Sequence, residues 1–358
     1  MSFGIGTETA VGLTRHMAHS EKHEVVAEAL AMAMGVNVAE PHPYAADLAG
    51  EGLKAATIAE VFNLARPSAM FTTSDFNLAL NQTIGMIAAE TSIVSTEHRA
   101  FCKLLDLPNL RPTGVPRYEG GELTERNGAY MEATRLGVVG KGESVSLVNY
   151  ANYEAVSRQS IINAEWDHVA GIVRELIAAG LRRERTGVVE LLEANPALGD
   201  GTAWFHSDRG NDISSASLNT TALGAAYAAL RGLKPSNSDA TLELPPAVLL
   251  VPASLEVTAR VLVASMANGL SAGDPSRNQA GLNPAPLAVF ADTRLTKVYL
   301  LPSPAQMPVV GVAHLTGQRQ PAITTKVNQR TDELMIKASF DLAVSAVSPN
   351  AIRITLTG

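Results

Sequence analysis

The sequence contains little cysteine, few aromatic residues and few charges. Cys102 is the single cysteine among 358 residues, which excludes an intramolecular disulfide framework and a metal site built from several cysteines. Only 18% of the residues are charged and 5% are aromatic, whereas 46% are hydrophobic. A chain of this length and hydrophobic content buries two or more substantial cores. The cysteine usage fits a reducing compartment.

Long apolar runs and basic stripes are also absent from the sequence. No apolar stretch reaches the roughly 18 residues of a membrane span, and the N-terminus lacks the charged-then-apolar order of a signal peptide. The formal net charge is −7 and the pI is about 5.7. Because no region clusters lysine and arginine as nucleic-acid-binding surfaces do, we expect a soluble protein made in the cytoplasm, without a membrane partner.

A long helical pattern lies between Ser157 and Pro196. We expect the Asn163 side chain to cap its first turn. The pair Asn195-Pro196 should end it, because the residue before a proline is displaced from the α region. Apolar residues recur at three- and four-residue steps along one face: Val169, Val173, Leu176 and Ile177. The charged residues Arg174, Glu175, Arg182, Arg183, Glu184 and Arg185 are assigned to the rest of the helix surface.

Three glycines oppose this long helix. Gly171, Gly180 and Gly187 each cost about 1 kcal/mol relative to alanine in a helix interior. Either another backbone approaches the helix closely there, or the helix is interrupted. We predict a bend or a break near Gly180 to Gly187.

The segment between Leu110 and Asn149 alternates in polarity and contains few large apolar residues. Turn-forming residues interrupt it at Gly120-Gly121, Asn127-Gly128 and Gly140-Lys141-Gly142, so the pattern predicts a two-stranded ribbon. Such a ribbon has little core of its own and is marginally stable in isolation. It should therefore lie on its own domain or on a neighbouring subunit.

The segment Asp200–Ser215 brings titratable side chains close together in sequence: Asp200, His206, Asp208 and Asp212. One interpretation is a metal-dependent hydrolase that uses His206 and Asp208, although the spacing does not fit a calcium loop. The preferred interpretation is a tight polar loop whose side chains bond the local backbone above a buried Trp204 and Phe205.

Other candidate ligand sites in the sequence are weak. His16, His19 and His23 would share one helix face, but no carboxylate or cysteine stands at matching spacing, so a solvated face is favoured over zinc. The glycine-rich segment 137–144 lacks the serine or threonine that follows the lysine of a phosphate loop. We therefore expect no metal and no cofactor.

The remaining elements do not alternate as regular βαβ units, which argues for an α+β fold rather than a doubly wound or barrel fold. Helices are predicted at 24–34, 57–64, 73–92, 216–233 and 255–266, with a linker at 40–52 and a loop at 267–286. Strands are predicted at 242–252, 287–295, 297–304, 308–315, 322–329, 333–347 and 351–356.

Five segments, in this order, carry a family resemblance. They are TTSDFNLAL at 72–80, VPRYEGGE at 115–122, YEAVSRQSIIN at 153–163, LLEANPALGDGTAWFHSDRGN at 191–211 and LLVPASLEVTA at 249–259. Together they resemble the major capsid proteins of tailed bacteriophages, which have the Hong Kong ninety-seven-type fold. The chain looks most like the branch with Mu-like heads and protease–capsid fusions. It departs from the family at Ala164-Glu165, where two acidic residues are usual, and in the C-terminal segment 339–350.

The resemblance implies an α+β fold with a long spine helix, a peripheral domain, an axial domain, an extended β-ribbon loop and an N-terminal arm. The implied boundaries are an arm at 1–70, peripheral segments at 71–109, 152–223 (with the spine helix) and 306–358, a ribbon loop at 110–151 and an axial domain at 224–305.

The resemblance also implies a structural, non-enzymatic function. Hexamers and pentamers would assemble into the icosahedral head shell of a tailed phage around its double-stranded DNA. The protein would reside in the virion after assembly in the host bacterial cytoplasm. Its implied partners are its own copies and DNA bound without sequence specificity; portal, scaffolding and decoration proteins are further candidates.

Charged residues of the ribbon are candidates for contacts between subunits, with simple solvation as the alternative: Arg117, Glu119, Glu122, Glu125, Arg126, Lys141 and Glu143. A covalent Lys141–Asn cross-link, as one branch of the family forms, is less favoured. Two alternatives stay open: an encapsulin-like compartment shell, and a scaffolding role for about the first 50 residues, which would be cut away on maturation.

Overall fold

The computed structural model describes residues 19–50, 58, 61, 79–80, 82–87, 96–119, 139–163, 165–235, 241–267, 287–328, 330–331 and 333–357. The chain divides into two compact units. The first unit comprises Met1–Ser95, Asn149–Arg182 and Gln320–Asp341, and the second comprises Thr96–Val148, Arg183–Arg319 and Leu342–Gly358.

The described residues form many of the helices and strands that the sequence patterns predict, together with some that they do not: the helix at 43–50 and the strands at 102–107, 148–157 and 212–215. The predicted turn at 140–142 is wrong, because it lies within a strand. The helices are α1 (His19–Ala33), α2 (Pro43–Gly50), α3 (Arg158–Ile162), α4 (Trp166–Ala194), α5 (Thr220–Arg231) and α6 (Glu256–Ala267). The first strands are β1 (Cys102–Leu107), β2 (Thr113–Glu119), β3 (Val139–Val145), β4 (Val148–Ser157), β5 (Asp212–Ser215) and β6 (Pro246–Pro252). The others are β7 (Ala288–Asp292), β8 (Val298–Pro302), β9 (Val310–Leu315), β10 (Ala322–Asn328), β11 (Glu333–Ala346) and β12 (Ile352–Leu356).

The core of the first unit lies where α1 meets the first half of α4. Val169, Val173 and Ile177 on α4 are buried in one cluster with Val26 and Leu30 of α1, as the three- and four-residue spacing of the α4 residues predicts. Strand β10 pairs antiparallel with the first part of β11 and supplies partly buried side chains to the same cluster.

The second unit is built on a five-stranded sheet in the order β5-β12-β8-β6-β7. Every residue of β8 is buried, so this strand reads as a continuous apolar run rather than as an alternating one. Helix α5 contacts β8 and β12, and α6 contacts β6 and β7. The apolar faces of both helices join one core cluster with Leu249, Leu300 and Ile354.

Strands β2 and β3 form the two-stranded antiparallel ribbon that the alternating segment predicts. Its register runs from Thr113 opposite Val145 to Glu119 opposite Val139. At the base of the ribbon, Val115 and Val145 are buried with Ala313 of β9. The base of the ribbon therefore rests on the core of its own unit.

Helix α4 is continuous from Trp166 to Ala194 over 29 residues, so the predicted break near Gly180 to Gly187 is wrong. The Asn163 cap is wrong as well, because Asn163 is the C-terminal cap of the short helix α3. The predicted linker at 40–52 contains α2. The predicted loop at 267–286 lies almost wholly outside the described residues, as do most residues of the two predicted helices at 57–64 and 73–92.

Two of the three glycines in α4 allow close packing. A Cβ atom on Gly180 would overlap the ring of Pro321, and one on Gly187 would lie 3.1 Å from Cγ2 of Val344. A Cβ atom on Gly171 would meet nothing within 4 Å among the described atoms. Gly180 and Gly187 thus remove side-chain volume where other segments approach α4, and the helix stays continuous.

The close approach at Gly180 predicts opposite effects for two alanine substitutions within the first unit. Gly180→Ala should lower the free energy of unfolding by about 1–3 kcal/mol, because the added methyl group overpacks against Pro321. The matched control Gly171→Ala should raise it by up to about 1 kcal/mol, since alanine is the better helix former. Urea unfolding of both variants measures the difference. A Gly180→Ala variant as stable as Gly171→Ala would contradict this packing.

Candidate functional site

The charged side chains of the polar loop that follows α4 form separate local contacts. Nδ1 of His206 accepts a hydrogen bond from the backbone N–H of Asp208 at 3.2 Å, which caps a short 3-10 turn. The two carboxylate oxygens of Asp200 accept hydrogen bonds from Nη2 of Arg209 at 2.6 and 2.7 Å. Asp212 is bound by the guanidinium group of Arg353 at 2.9 and 2.6 Å. The acidic side chains thus lie in separate ion pairs and caps and do not converge on one position.

Side-chain amide and indole groups fix the loop through hydrogen bonds to backbone atoms. The side chain of Asn195 accepts from the N–H of Phe205 at 2.7 Å and donates to its carbonyl oxygen at 3.1 Å. The side-chain amide of Asn211 donates to the carbonyl oxygen of Trp204 at 2.9 Å. Nε1 of Trp204 donates to the carbonyl oxygen of Ser348 at 2.8 Å. Trp204 and Phe205 are fully buried, which confirms the interpretation as a structural polar loop.

No group of three or more histidine, cysteine, aspartate or glutamate side chains in the described part of the chain is arranged to hold a metal ion. Among the described helices, none is long and apolar enough to cross a membrane. Of the N-terminal histidines, His19 and His23 lie on α1, and His16 lies outside the described residues.

Among the described residues of the second unit, the most deeply buried carboxylate is that of Glu184 on α4. Its Oε1 atom lies 2.7 Å from Nε2 of His98 and 2.7 Å from Nε of Arg99. Its Oε2 atom lies 2.6 Å from Nη2 of Arg99 and 3.2 Å from Nε2 of His314. Because an ionised carboxylate only accepts hydrogen bonds, both imidazoles donate from Nε2. We call these residues the Glu184 cluster.

The charge pattern of the helix predicted that Glu184 lies on its charged surface. This prediction is wrong, because the side chain of Glu184 is fully buried. A signal was present in the spacing. Glu184 follows the buried Leu181 by three residues and precedes the buried Val188 by four, so it falls on the apolar face. Its partners His98 and His314 are far away in sequence, and the local pattern does not reveal them.

The contacts of the Glu184 cluster shift the pKa of Glu184 itself and of one neighbouring thiol. Burial raises the pKa of Glu184, but hydrogen bonds from Arg99, His314 and His98 outweigh it and hold the pKa well below its usual range. Burial, together with the negative charge of Glu184, raises the pKa of the nearby Cys102 thiol. The thiol therefore stays protonated at neutral pH, and a buried protonated thiol is inert.

The structure describes the candidate contact residues of the ribbon only in part. Glu143 is half-buried, and its Oε1 atom accepts from the backbone N–H of Gly199 at 2.9 Å. For Arg117, Glu119 and Lys141 the backbone positions are described, with Arg117 opposite Lys141 in the strand register. The others, Glu122, Glu125 and Arg126, lie outside the described residues.

The fold is similar to that of proteins that build closed shells. The capsid of an empty GTA particle, computed with five-fold symmetry, matches with a TM-score of 0.51 and 9% identity over 75% of this chain and 92% of that chain. The mature capsid of bacteriophage PhiM1 matches with a TM-score of 0.49 and 11% identity over 74% and 88%. An encapsulin complex from Synechococcus elongatus matches with a TM-score of 0.46 and 9% identity over 74% and 88%. A comparison with curated proteins found no match.

This α+β architecture is the Hong Kong ninety-seven-type capsid fold. Residues 142–354, more than half of the chain, match the family described as phage capsid protein. The chain therefore belongs to the phage capsid protein family and is a phage major capsid protein. The predicted family, fold and structural function are confirmed, whereas the Mu-like branch stays a prediction.

The buried carboxylate predicts a large cost for removing its charge. Glu184→Gln should lower the free energy of unfolding by about 3–5 kcal/mol, because it removes the buried carboxylate that binds both histidines and leaves the half-buried Arg99 charge without its counter-ion. Glu190→Gln is the matched control on the same helix, since Glu190 is exposed and pairs with Arg183 at the surface; its cost should stay below about 1 kcal/mol. Equal costs in denaturant unfolding would contradict the described burial of Glu184.

The lowered pKa of Glu184 also predicts a pH dependence of stability. A carboxyl group with a lower pKa in the folded state contributes stability above its unfolded pKa of about 4.3. This contribution disappears as the pH falls toward the folded value. The free energy of unfolding should therefore decrease below about pH 5, and Glu184→Gln should decrease less steeply than Glu190→Gln. Unfolding curves between neutral and acidic pH measure these slopes, and parallel slopes would rule out this linkage.

Proposed function

We propose that the protein assembles as hexamers and pentamers into the icosahedral head shell of a tailed phage and encloses double-stranded DNA. The observation that carries the proposal is the phage capsid family match over residues 142–354. The proposal distinguishes the protein from an encapsulin, which shares the fold but encloses enzymes. The protein then functions in the virion, after assembly in the cytoplasm of the host bacterium.

We propose the domain boundaries that the family resemblance implies. The N-terminal arm spans 1–70, the ribbon loop 110–151 and the axial domain 224–305. The peripheral domain comprises 71–109, 152–223 and 306–358. Helix α4 is the spine helix, and its unbroken course through Gly180 and Gly187 supports this role. The axial domain contains most of α5, all of α6 and the strands β6, β7 and β8.

The ribbon loop is the segment that we propose to lie on a neighbouring subunit. Arg117 is directly opposite Lys141 in the register of β2 and β3, and like charges at opposed positions destabilise a strand pair. An acidic side chain from a second copy would remove this cost. Glu143 differs from these residues because it already accepts a hydrogen bond from Gly199 within its own unit. It therefore positions the base of the ribbon.

Contacts of the shell with other components follow from charge. The chain carries a formal net charge of −7, and DNA phosphates are attracted mainly by clustered lysine and arginine. An acidic shell protein therefore encloses DNA without binding it tightly or reading its sequence, which leaves packaging and ejection unhindered. Portal, scaffolding and decoration proteins are the further partners that a head shell of this kind uses.

Electron microscopy of the purified protein tests the proposed assembly. We expect closed shells, and particles recovered from infected or induced cells should contain nuclease-protected double-stranded DNA. Monomers or dimers alone, under several salt and pH conditions, would contradict the shell function. Shells that contain a defined enzyme and no DNA would instead identify a compartment shell.

The opposed cations of the ribbon, Arg117 and Lys141, are predicted to contribute to shell assembly. The double substitution Arg117→Ala/Lys141→Ala should reduce the yield of shells several-fold, because it removes a charge contact between copies. The thermal midpoint of the free subunit should stay the same or rise slightly, because the opposed like charges no longer destabilise the ribbon. Lys103→Ala is the control, since Lys103 is an exposed cation on β1, and it should leave the yield unchanged. Size-exclusion chromatography measures both. Wild-type yield from the double variant would mean that these cations are merely solvated.

A further inference from the structure

Residues 19–50 form two helices that lie outside the family match. The matched residues are 142–354, whereas α1 comprises His19–Ala33 and α2 comprises Pro43–Gly50. The sequence leaves two interpretations of this segment open: a part of the N-terminal arm, or a part of a scaffolding segment that is cut away on maturation. The two interpretations require different packing, because a segment that is cut away must separate from the subunit without uncovering its core.

Helix α1 is buried on nearly all sides. Between residues 22 and 31, Glu24 is exposed and Glu28 is partly exposed, whereas the others are buried. The side chains of Val26 and Leu30 have no exposed surface. A helix at the surface of a globular protein normally shows a broad polar face to solvent. Helix α1 is therefore a central element of the first unit.

The core cluster of the first unit contains residues of α1, α2, α4 and β11. On α4 these residues are Val169, Val173 and Ile177, and on β11 they are Leu334 and Ile336. Removal of α1 would uncover these apolar side chains together, and large exposed apolar patches cause association or aggregation. The rest of the first unit therefore needs α1 to bury its own core.

The C-terminal end of α1 is fixed by hydrogen bonds of its own backbone. The N–H of Gly35 donates to the carbonyl oxygen of Met32 at 3.0 Å, and the N–H of Val36 donates to that of Ala31 at 2.9 Å. These are the two bonds of a Schellman motif. Gly35 has a φ of 77°, a left-handed conformation that favours glycine. The sequence thus specifies where α1 ends, as it does for a regular element of a fold.

Polar side chains from distant segments bind the backbone of α1 and of the residue that follows it. Nη2 of Arg174 on α4 donates to the carbonyl oxygen of Met34 at 2.9 Å. Oγ1 of Thr83, which is fully buried, lies 3.0 Å from the carbonyl oxygen of Ala27. Both contacts are made in the interior of the first unit and would be lost if α1 were removed.

Helix α2 is joined to α1 by a charged side chain and a short loop. Oε2 of Glu28 accepts a hydrogen bond from the backbone N–H of His42 at 2.6 Å, directly before Pro43 begins α2. Proline is favoured at the first position of a helix. In the loop between the helices, Ala39 and Glu40 are exposed. A cut in this loop would therefore leave α1 held by the core.

We infer that residues 19–50 are a permanent core element of the subunit and stay in the shell when it matures. An N-terminal segment removed on maturation would then have to end before α1, which excludes a scaffolding role for the whole of the first 50 residues. The maturation step of this inference rests on the proposed shell function. The packing that carries the inference lies within the first unit and is tested on the free subunit.

Cleavage in the loop between α1 and α2 tests whether α1 separates from the subunit. The recognition sequence of a site-specific protease, inserted between Ala39 and Glu40, allows the chain to be cut there, and the uncut variant is the control. We expect the N-terminal fragment to co-elute with the remainder in size-exclusion chromatography and to separate only in denaturant. Release of the fragment with aggregation or a lower thermal midpoint of the remainder would also support the inference. A released fragment, with a remainder that keeps the midpoint of the uncut variant, would overturn it.

Paired substitutions on α1 give a second readout without an inserted sequence. Leu30→Ala should lower the thermal midpoint of the free subunit by at least about 4 °C, because it leaves a cavity in the core. Glu24→Ala is the matched control, since Glu24 is exposed on the same helix, and its midpoint should change by less than about 2 °C. A Leu30→Ala variant that does not fold would show the same dependence on α1. Equal midpoints of the two variants would contradict the inference.

Mass spectrometry of denatured particles tests the maturation step. Chains from DNA-filled particles should contain every residue of α1 and α2. Stable particles whose chains begin after Gly50 would overturn the inference. A wild-type protein that forms no shells would instead refute the proposed function, and the two tests on the free subunit would still decide the inference.

Discussion

The arrangement of the second unit depends on one buried carboxylate. Glu184 lies 85 residues from Arg99 and 130 from His314 in sequence, and its two oxygen atoms lie within hydrogen-bond reach of four nitrogen atoms. A buried ion cluster of this kind contributes little net stability relative to an apolar core, but breaking it is expensive. It therefore restricts where the segment before β1, the helix α4 and the strand β9 can lie. A subunit that must present the same contacts in every copy benefits from such a restriction.

Packing along α4 imposes a second constraint, which shows what the sequence can and cannot predict. The helix and most strands were predictable, because periodicity depends on neighbours within a few residues. The role of Gly180 was not predictable, because it depends on Pro321, which is far along the chain. Local propensity alone counts that glycine as a weakness. The misassigned Glu184 has the same cause, since its donors come from distant segments, although its place on the apolar face was readable from spacing.

The polar loop after α4 shows that closeness in sequence alone is a weak indication of catalytic residues. His206, Asp208 and their acidic neighbours are close in sequence, and closeness alone suggested acid–base chemistry. In the structure, Asp200 pairs with Arg209 and Asp212 with Arg353, while His206 caps a turn. A catalytic group of residues converges on a shared space for substrate, whereas these side chains bind separate parts of the loop. The family resemblance could be recognised from the sequence because five separate segments match the family in the same order. No single motif provides this information.

Ionic and apolar contacts between subunits differ in their physics, and this difference bears on how a shell can assemble without errors. Ionic contacts at the ribbon weaken as salt rises, because exposed charges are screened within about 10 Å at 0.1 M salt. Burial of apolar surface between subunits is not screened, and salts such as sulfate strengthen it. A subunit that carries both kinds can be held by one while the other is broken, so a misplaced copy can dissociate one contact at a time. Because each copy is acidic overall, long-range repulsion favours this exchange until the apolar and ionic contacts are formed together.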